Sequence, residues 1–341
     1  MTVEPKPFEP RIVALTGGVG GAKLAVGLAH CLGSDDLLIA VNIGDDFEHL
    51  GLTICPDLDT LTYTLAGLND PQHGWGRRDE TWSVLDTIEK LGGETWFRLG
   101  DRDLALHLER TRRLRQGESL AHFTLSIGRR LGVRHIIAPI SNDPVRTFVE
   151  TDAGLLPFQD YFVRSRCEPQ VTGFRYEGAS TAEPNTMLID ALSSPRLEAV
   201  IICPSNPFLS IDPILALPLV KRKLETCAAP VIAISPIIGG QAVKGPTAKM
   251  MTELKMKPSA KTVARYYEDF LDGYVLDHSD QHEADALQES GLTTAAAQIL
   301  MKSDADKIAL ARAVLAFADG LDVSRNSTQA APNSVDAGRR P

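Results

Sequence analysis

The chain has 341 residues, 43% of them apolar, and a formal charge of −9. That much apolar content at this length buries one large core or two modest ones and excludes a disordered chain, while the negative balance excludes nucleic acid or an anionic membrane as partner. Cys31, Cys55, Cys167, Cys203 and Cys227 lie far apart, form no CxxC pair and are odd in number, which argues against a disulfide framework or structural zinc. With no signal-peptide pattern and no apolar run near the roughly 20 residues a membrane span needs, a reduced, cytoplasmic protein is expected.

A polar, proline-containing leader (residues 1–10) precedes the apolar run Arg11 to Thr16, which reads as a buried strand. The glycines after it give way to Leu24, Leu28 and Leu32 at helical spacing, stopped by Gly33. A second apolar run, Leu37 to Ile43, follows within a few residues, and such a βαβ opening starts a parallel, doubly wound sheet buried on both faces. From about 58 to 132 the sequence is helical and polar, an insertion or cap beside the sheet, until the strand-like run His135 to Ile140. Ala199 to Cys203 and Val231 to Ile234 are further buried strands, each leading into a Pro- and Gly-containing loop and a helical pattern. Ser303 with Asp306 three positions on opens a last helix that Gly320 ends. The stretch 321–341 lacks periodicity and reads as a disordered tail. A single α/β domain over 11–320 is expected.

The strongest local signal is Gly17-Gly18-Val19-Gly20-Gly21-Ala22-Lys23, between the first strand and first helix. Glycines there let main-chain N–H groups close around an anion at a helix N-terminus, so phosphate is the expected guest, with Lys23 beside it. It is neither a Walker A loop, lacking the Gly-Lys-Ser/Thr ending, nor a dinucleotide fingerprint, because Lys23 stands where the third glycine belongs. Close strand-to-helix packing is the competing use of these glycines.

Asn42-Ile43-Gly44-Asp45-Asp46 ends the second strand, and Asp57-Leu58-Asp59-Thr60 follows shortly after. In an open α/β sheet the crevice lies at the carboxyl ends of the strands, which brings these carboxylates to the glycine loop. Carboxylates beside a phosphate repel it unless they hold magnesium, so Mg²⁺ is expected. Asp59 as a helix N-cap and Asp46 in a turn are the plainer alternatives.

Other loops are compatible with the same chemistry. Gly100-Asp101-Arg102-Asp103 and the basic run Arg110, Arg112, Arg113 and Arg115 offer guanidinium groups for an anion, or a solvated helix face. Asp143 and Arg146 lie in a polar loop after a strand, Ser205 and Asn206 in a proline-stiffened one, and Ser235, Gly239 and Gly240 in another glycine loop, with Lys244 behind it. Three such loops at strand ends indicate a diphosphate or nucleotide. His73, His107, His122, His135, His278 and His282 read as surface or satisfied core residues, and Trp75, Trp82 and Trp96 as packing residues that could also stack on a flat ring.

Taken in order, GGVGGAKL (17–24), VNIGDD (41–46), CPDLDT (55–60), LGDRDLA (99–105), SNDPVRT (141–147), FQDYFV (158–163), PSNPFLSI (204–211) and SPIIGG (235–240) resemble the signature of the 2-phospho-L-lactate transferase (CofD/FbiA) family over roughly residues 10–320. The resemblance implies a Rossmann-like enzyme, commonly a homodimer, with a mostly parallel sheet, helices on both faces and a helical insertion covering the site. It implies transfer of a phosphorylated three-carbon acid from its guanosine diphospho-adduct to the ribityl hydroxyl of the deazaflavin Fo, giving a coenzyme F420-0 type product and GMP. The family's metal-binding aspartates correspond to Asp45 and Asp59 or their neighbours Asp46 and Asp57, and Asp45 or Asp46 is the candidate base. Phospholactate, phosphoenolpyruvate and 3-phosphoglycerate differ by a few atoms, and Phe97 and Arg98 are candidates for the pocket that chooses among them. A regulatory, nucleotide-sugar-binding branch of the same superfamily is the alternative, against which the CPDLDT aspartates and LGDRD count. An NAD-linked oxidoreductase is disfavoured by the missing third glycine.

Overall fold

The structure, a computed structural model, describes residues 8–71 and 74–321. Most of the leader, His73 and all but the first residue of the expected tail lie outside them.

In chain order the elements that matter are β1 (Ile12–Thr16), α1 (Gly18–Cys31), β2 (Leu37–Val41), the hairpin β3 (Phe47–His49) and β4 (Leu52–Ile54), then α2 (Pro56–Leu65), α3 (Ser83–Lys90), α4 (Asp101–Arg115) and α5 (Leu120–Arg130). β5 (Ile136–Pro139) returns to the sheet, and β6 (Arg146–Thr151), β7 (Gly154–Pro157) and β8 (Val171–Glu177) form a separate antiparallel sheet. β9 (Ala199–Ile202), β10 (Val231–Ile234), the small hairpin β11 (Ile237–Ile238) and β12 (Gln241–Ala242), β13 (Gly273–Asp277) and β14 (Thr293–Ala297) follow, and a helix Asp304–Asp319 closes the domain.

Seven strands form one sheet in the order β14-β13-β10-β9-β1-β2-β5, every pair parallel. The fold is thus Rossmann-like α/β, as expected. β1, β2, β9 and β10 are buried at every position, which is why they read as unbroken apolar runs. Each fully buried aliphatic side chain among them contributes on the order of 1.5–3 kcal/mol.

The chain runs from β1 outward through β2 to β5, then crosses back to β9 on the other side of β1 and continues to β14. The order reverses between β1 and β9, the point at whose carboxyl ends an open α/β sheet places its ligand crevice. The loops after β1, β2, β9 and β10 surround it. The closing helix carries the expected capping box, Ser303 Oγ accepting from Asp306 N at 3.2 Å and the Asp306 carboxylate accepting from Ser303 N at 2.8 Å, and Gly320 is its C-cap.

The hairpin β3–β4, the β7-β6-β8 sheet and the strands β13 and β14 were not among the expected elements. No helix among the described residues is long and apolar enough to cross a membrane.

Candidate active site

α1 begins at Gly18 with Gly17 as its N-cap, so the glycine loop is the helix's own first turn. Gly18 takes φ +65°, which favours glycine, and its N–H donates to Asp57 Oδ1 at 2.6 Å. The helix N-terminus therefore already faces an anion, the chain's own carboxylate. A side chain at Gly20 would collide with Pro204 O, and one at Gly21 with Thr16 Oγ1 and Ser205 Oγ, so these glycines serve close packing against the end of β1 and the loop after β9. Ser205 ties the two loops together: its Oγ donates to Gly17 O at 2.9 Å and accepts from Gly17 N at 3.4 Å.

Asn42, fully buried at the end of β2, is the hub of the site. Its Nδ2 points at Asp45 Oδ1, Asp57 Oδ2 (2.9 Å) and Leu209 O (3.1 Å), while its Oδ1 accepts from Gly44 N at 2.7 Å. Two N–H bonds cannot serve three acceptors at once, so one is always under-supplied. Asp45, Asp46 and Asp57 are all less than a tenth exposed. Burial, then the neighbouring Asp57 and Asp46, push the Asp45 carboxyl well above the usual range. Burial lifts Asp46 to about 7 against the opposing charge of Arg146, and Asp57 to about 6 against its bonds from Asn42 and Gly18. Asp46 Oδ1 is buried with no partner.

Asp59, one turn-step beyond Asp57, is held differently. Both its oxygens face the buried Arg110 guanidinium, Nη1 at 3.1 Å from Oδ2 and Nη2 on Oδ1. Burial, the largest influence, works against the Arg110 charge, yet Asp59, Cys55 and Asp46 together outweigh it and the pKa is raised. His107 Nδ1 is 3.7 Å from Asp59 Oδ2, and its Nε2 is 3.3 Å from Asp103 Oδ2, not aligned for a hydrogen bond. Tyr63 donates to Asp103 Oδ1 at 2.7 Å. Asp59, Asp103 and His107 also stand close enough to share a cation.

The remaining expected residues divide sharply. Arg146 donates to Val145 O at 2.8 Å, and its charge acts on Asp46. Lys23 reaches away from the glycine loop to Met301 O at 2.9 Å. Asp101 accepts from Thr81 Oγ1, Ser83 N and Val84 N, which caps α3, and the exposed Arg102 has its backbone N–H on Glu80. Asp143 accepts from Glu183 N at 2.8 Å and Asn206 from Phe208 and Leu209 N–H, both as turn or cap groups. Ser235 Oγ donates to Ile237 O, Gly239 N–H donates to Asp280, and Gly240 lies near Pro258 O. In the basic run Arg110 is buried, while Arg112 and Arg113 pair with Glu109 and Glu118.

Sequence reasoning gave Asn42 no role, left Arg110 between an anion grip and a solvated helix face, and read His107 as a surface or satisfied core residue. Asp103, His107 and Arg110 recur at positions i, i+4 and i+7 of one helix, a stripe that marks a shared face. The tryptophans are distributed: Arg98 lies over Trp82, Trp75 is exposed, and Trp96 packs with Phe47, His49 and Phe97.

A divalent cation suits the Asp45, Asp46 and Asp57 set. The donors are hard oxygens, their burial resists negative charge, and within the set Asp46 Oδ1 is buried without a hydrogen-bond partner.

A family model described as 2-phospho-L-lactate transferase CofD matches residues 12–315. A phosphoenolpyruvate transferase from Kitasatospora aureofaciens is 38% identical over 91% of this chain and 98% of its own length. A 2-phospho-L-lactate transferase from Methanosarcina mazei is 36% identical over 89% and 99%. Among solved structures, a UPF0052 family protein from Bacillus halodurans has a TM-score of 0.58 over 90% of this chain and 99% of its own, at 14% identity, which is a likeness of fold alone.

Proposed function

The chain belongs to the 2-phospho-L-lactate transferase (CofD) family, a transferase of coenzyme F420 biosynthesis, and from that premise we propose that it moves a phosphorylated three-carbon acid from a guanosine diphospho-adduct to the ribityl hydroxyl of Fo, releasing GMP. The observation that carries this reading is the gathering of three buried carboxylates, Asp45, Asp46 and Asp57, each raised above the usual range by burial, with Asp57 on the N-terminus of α1.

Asp45 and Asp57 are the groups that would hold Mg²⁺, because Asn42 already orients both from one side; Asp59 is engaged by Arg110. Magnesium, when bound, supplies positive charge against the donor's diphosphate. Asn42 fixes the two carboxylates, and Ser205 fixes the loops that carry them. Asp46 is the proposed base: with its carboxyl near 7 it can accept the proton of the attacking hydroxyl at Oδ1 at neutral pH. The hydroxyl oxygen then bonds to the phosphorus that bears the acid, the anhydride bond to GMP breaks, and the proton passes on to solvent. A cytoplasmic location and a homodimer accord with this reading.

The test is to combine the chain with Mg²⁺, Fo and guanosine diphospho-adducts of phospholactate, phosphoenolpyruvate and 3-phosphoglycerate, following products by mass spectrometry. One donor should give a metal-dependent Fo phosphodiester with equimolar GMP. No product from any donor would overturn the assignment.

A further inference from the structure

β3 begins directly after Asp46, and its alternation places Phe47 and His49 on one face with exposed Glu48 on the other. On that face the two rings meet Trp96 and Phe97 from the loop ahead of α4. Phe47 and Phe97 centroids are 4.8 Å apart, His49 and Trp96 5.2 Å, and Trp96 and Phe97 5.7 Å, all edge to face. Phe47, Trp96 and Phe97 are half-buried, whereas His49 is 4% exposed and its Nε2 has no hydrogen-bond partner.

If this were only a small apolar core, phenylalanine at position 49 would pack as well without stranding a polar nitrogen, since a buried group that makes no hydrogen bond is a net cost. The cover over His49 is lightly fastened. Trp96 follows exposed Gly92 and Gly93, its Nε1 donates to Glu94 Oε2 at a long 3.4 Å, and Arg164, paired with Glu94 at 3.3 Å and Asp160 at 3.1 Å, stacks on it at 4.5 Å. Exposed ion pairs of this kind contribute little. One peptide unit, about 3.8 Å between Cα atoms, separates the start of this aromatic group from Asp46.

A ligand that suits the four rings has flat apolar faces and one hydrogen-bonding edge, and carries its reactive hydroxyl on a short arm. Resting on the transferase reading above, we propose that Phe47, His49, Trp96 and Phe97 form the seat of the acceptor's fused ring system, with His49 Nε2 meeting the polar edge of that ring after Trp96 swings outward. Asp46 then lies at the arm's end of the seat.

Binding of Fo to the full chain, followed by its own fluorescence without donor or metal, tests the seat apart from turnover. His49→Phe and Trp96→Ala should each weaken Fo binding at least tenfold, and His49→Gln should recover part of the loss. The KM for the guanosine donor should change less than twofold. Trp96, half-buried on a loop, decides the matter if replacing His49 unfolds the chain, which circular dichroism reports. Fo affinity within twofold of wild type in folded Trp96→Ala overturns the seat, as does a wild-type chain that does not bind Fo. Product formation by wild type with unaltered Fo binding in the variants leaves the transferase reading standing without the seat. Fo binding that the variants lose, in a chain that makes no product, keeps the seat and removes the transferase reading.

Discussion

Asp57 and Asp59 stand two residues apart in the first turn of α2, similarly buried and both raised by that burial, but with different partners. Asp59 faces a guanidinium through both oxygens, with His107 and Asp103 behind it. Asp57 has only the amide of Asn42 and the N–H of Gly18, and it shares its space with Asp45. A buried carboxylate with a fixed counter-ion is part of the scaffold. One that is set among other carboxylates with neutral donors holds a place for positive charge from outside. On the proposed reading, the α4 side of the site is its structural wall and the α1 side its chemical wall.

The largest effect that can break this contrast is on stability. Arg110→Met leaves Asp59 buried and unpaired, which should cost about 3–5 kcal/mol in urea unfolding, and Asp59→Asn added to it should restore part of the loss. A cost below about 1 kcal/mol would show that Asp59 does not depend on Arg110 and that the two walls are alike.

Asp57→Asn sharpens the contrast from the other side. Turnover should fall at least about 100-fold, or about 2.7 kcal/mol, while unfolding free energy without metal stays level or rises, because one of two repelling charges is gone. Loss of stability equal to that of Arg110→Met would place Asp57 in the scaffold.

A partly buried carboxylate away from the site, Asp212, calibrates both. Tyr266 and Tyr176 donate to its Oδ2 at 2.6 and 3.2 Å, and burial, opposed by these bonds, lifts it to about 6. Since the folded value lies above the unfolded one, the stability it confers is complete below about pH 4 and is lost as pH rises through about 6. Asp212→Asn should remove that part of the pH dependence, at most about 3 kcal/mol and nearer 1 for a partly exposed side chain. Unfolding curves with the same slope between pH 4 and 7 in both proteins would contradict it.

The contrast also explains what the sequence discloses. β1, β2, β9 and β10 are legible because parallel strands buried on both faces are unbroken apolar runs. β14, Thr-Thr-Ala-Ala-Ala, has no large side chain to announce it. The β3–β4 hairpin turns at Leu50 and Gly51, both at positive φ, without the Asn-Gly pair that usually signals such a turn. β6 buries only Thr147, Val149 and Thr151, so its polar alternation reads as loop. At the site, the aspartates and glycines are legible because each group is local. Arg110 is not: its partner lies 51 residues away, and three exposed or surface-paired arginines beside it make α4 read as a solvated basic face. Lys23, Asp101 and Asp143 match phosphate or metal chemistry by type, but Met301, the α3 turn and Glu183 take their polar atoms.

The most direct test of the central claim is calorimetric titration of Mg²⁺ into the wild-type chain, Asp45→Asn, Asp57→Asn and Asp103→Asn. The account predicts one site that the first two variants lose and the third retains. Binding that survives in Asp45→Asn and Asp57→Asn and disappears in Asp103→Asn would contradict it, moving the cation to the Asp59, Asp103 and His107 group.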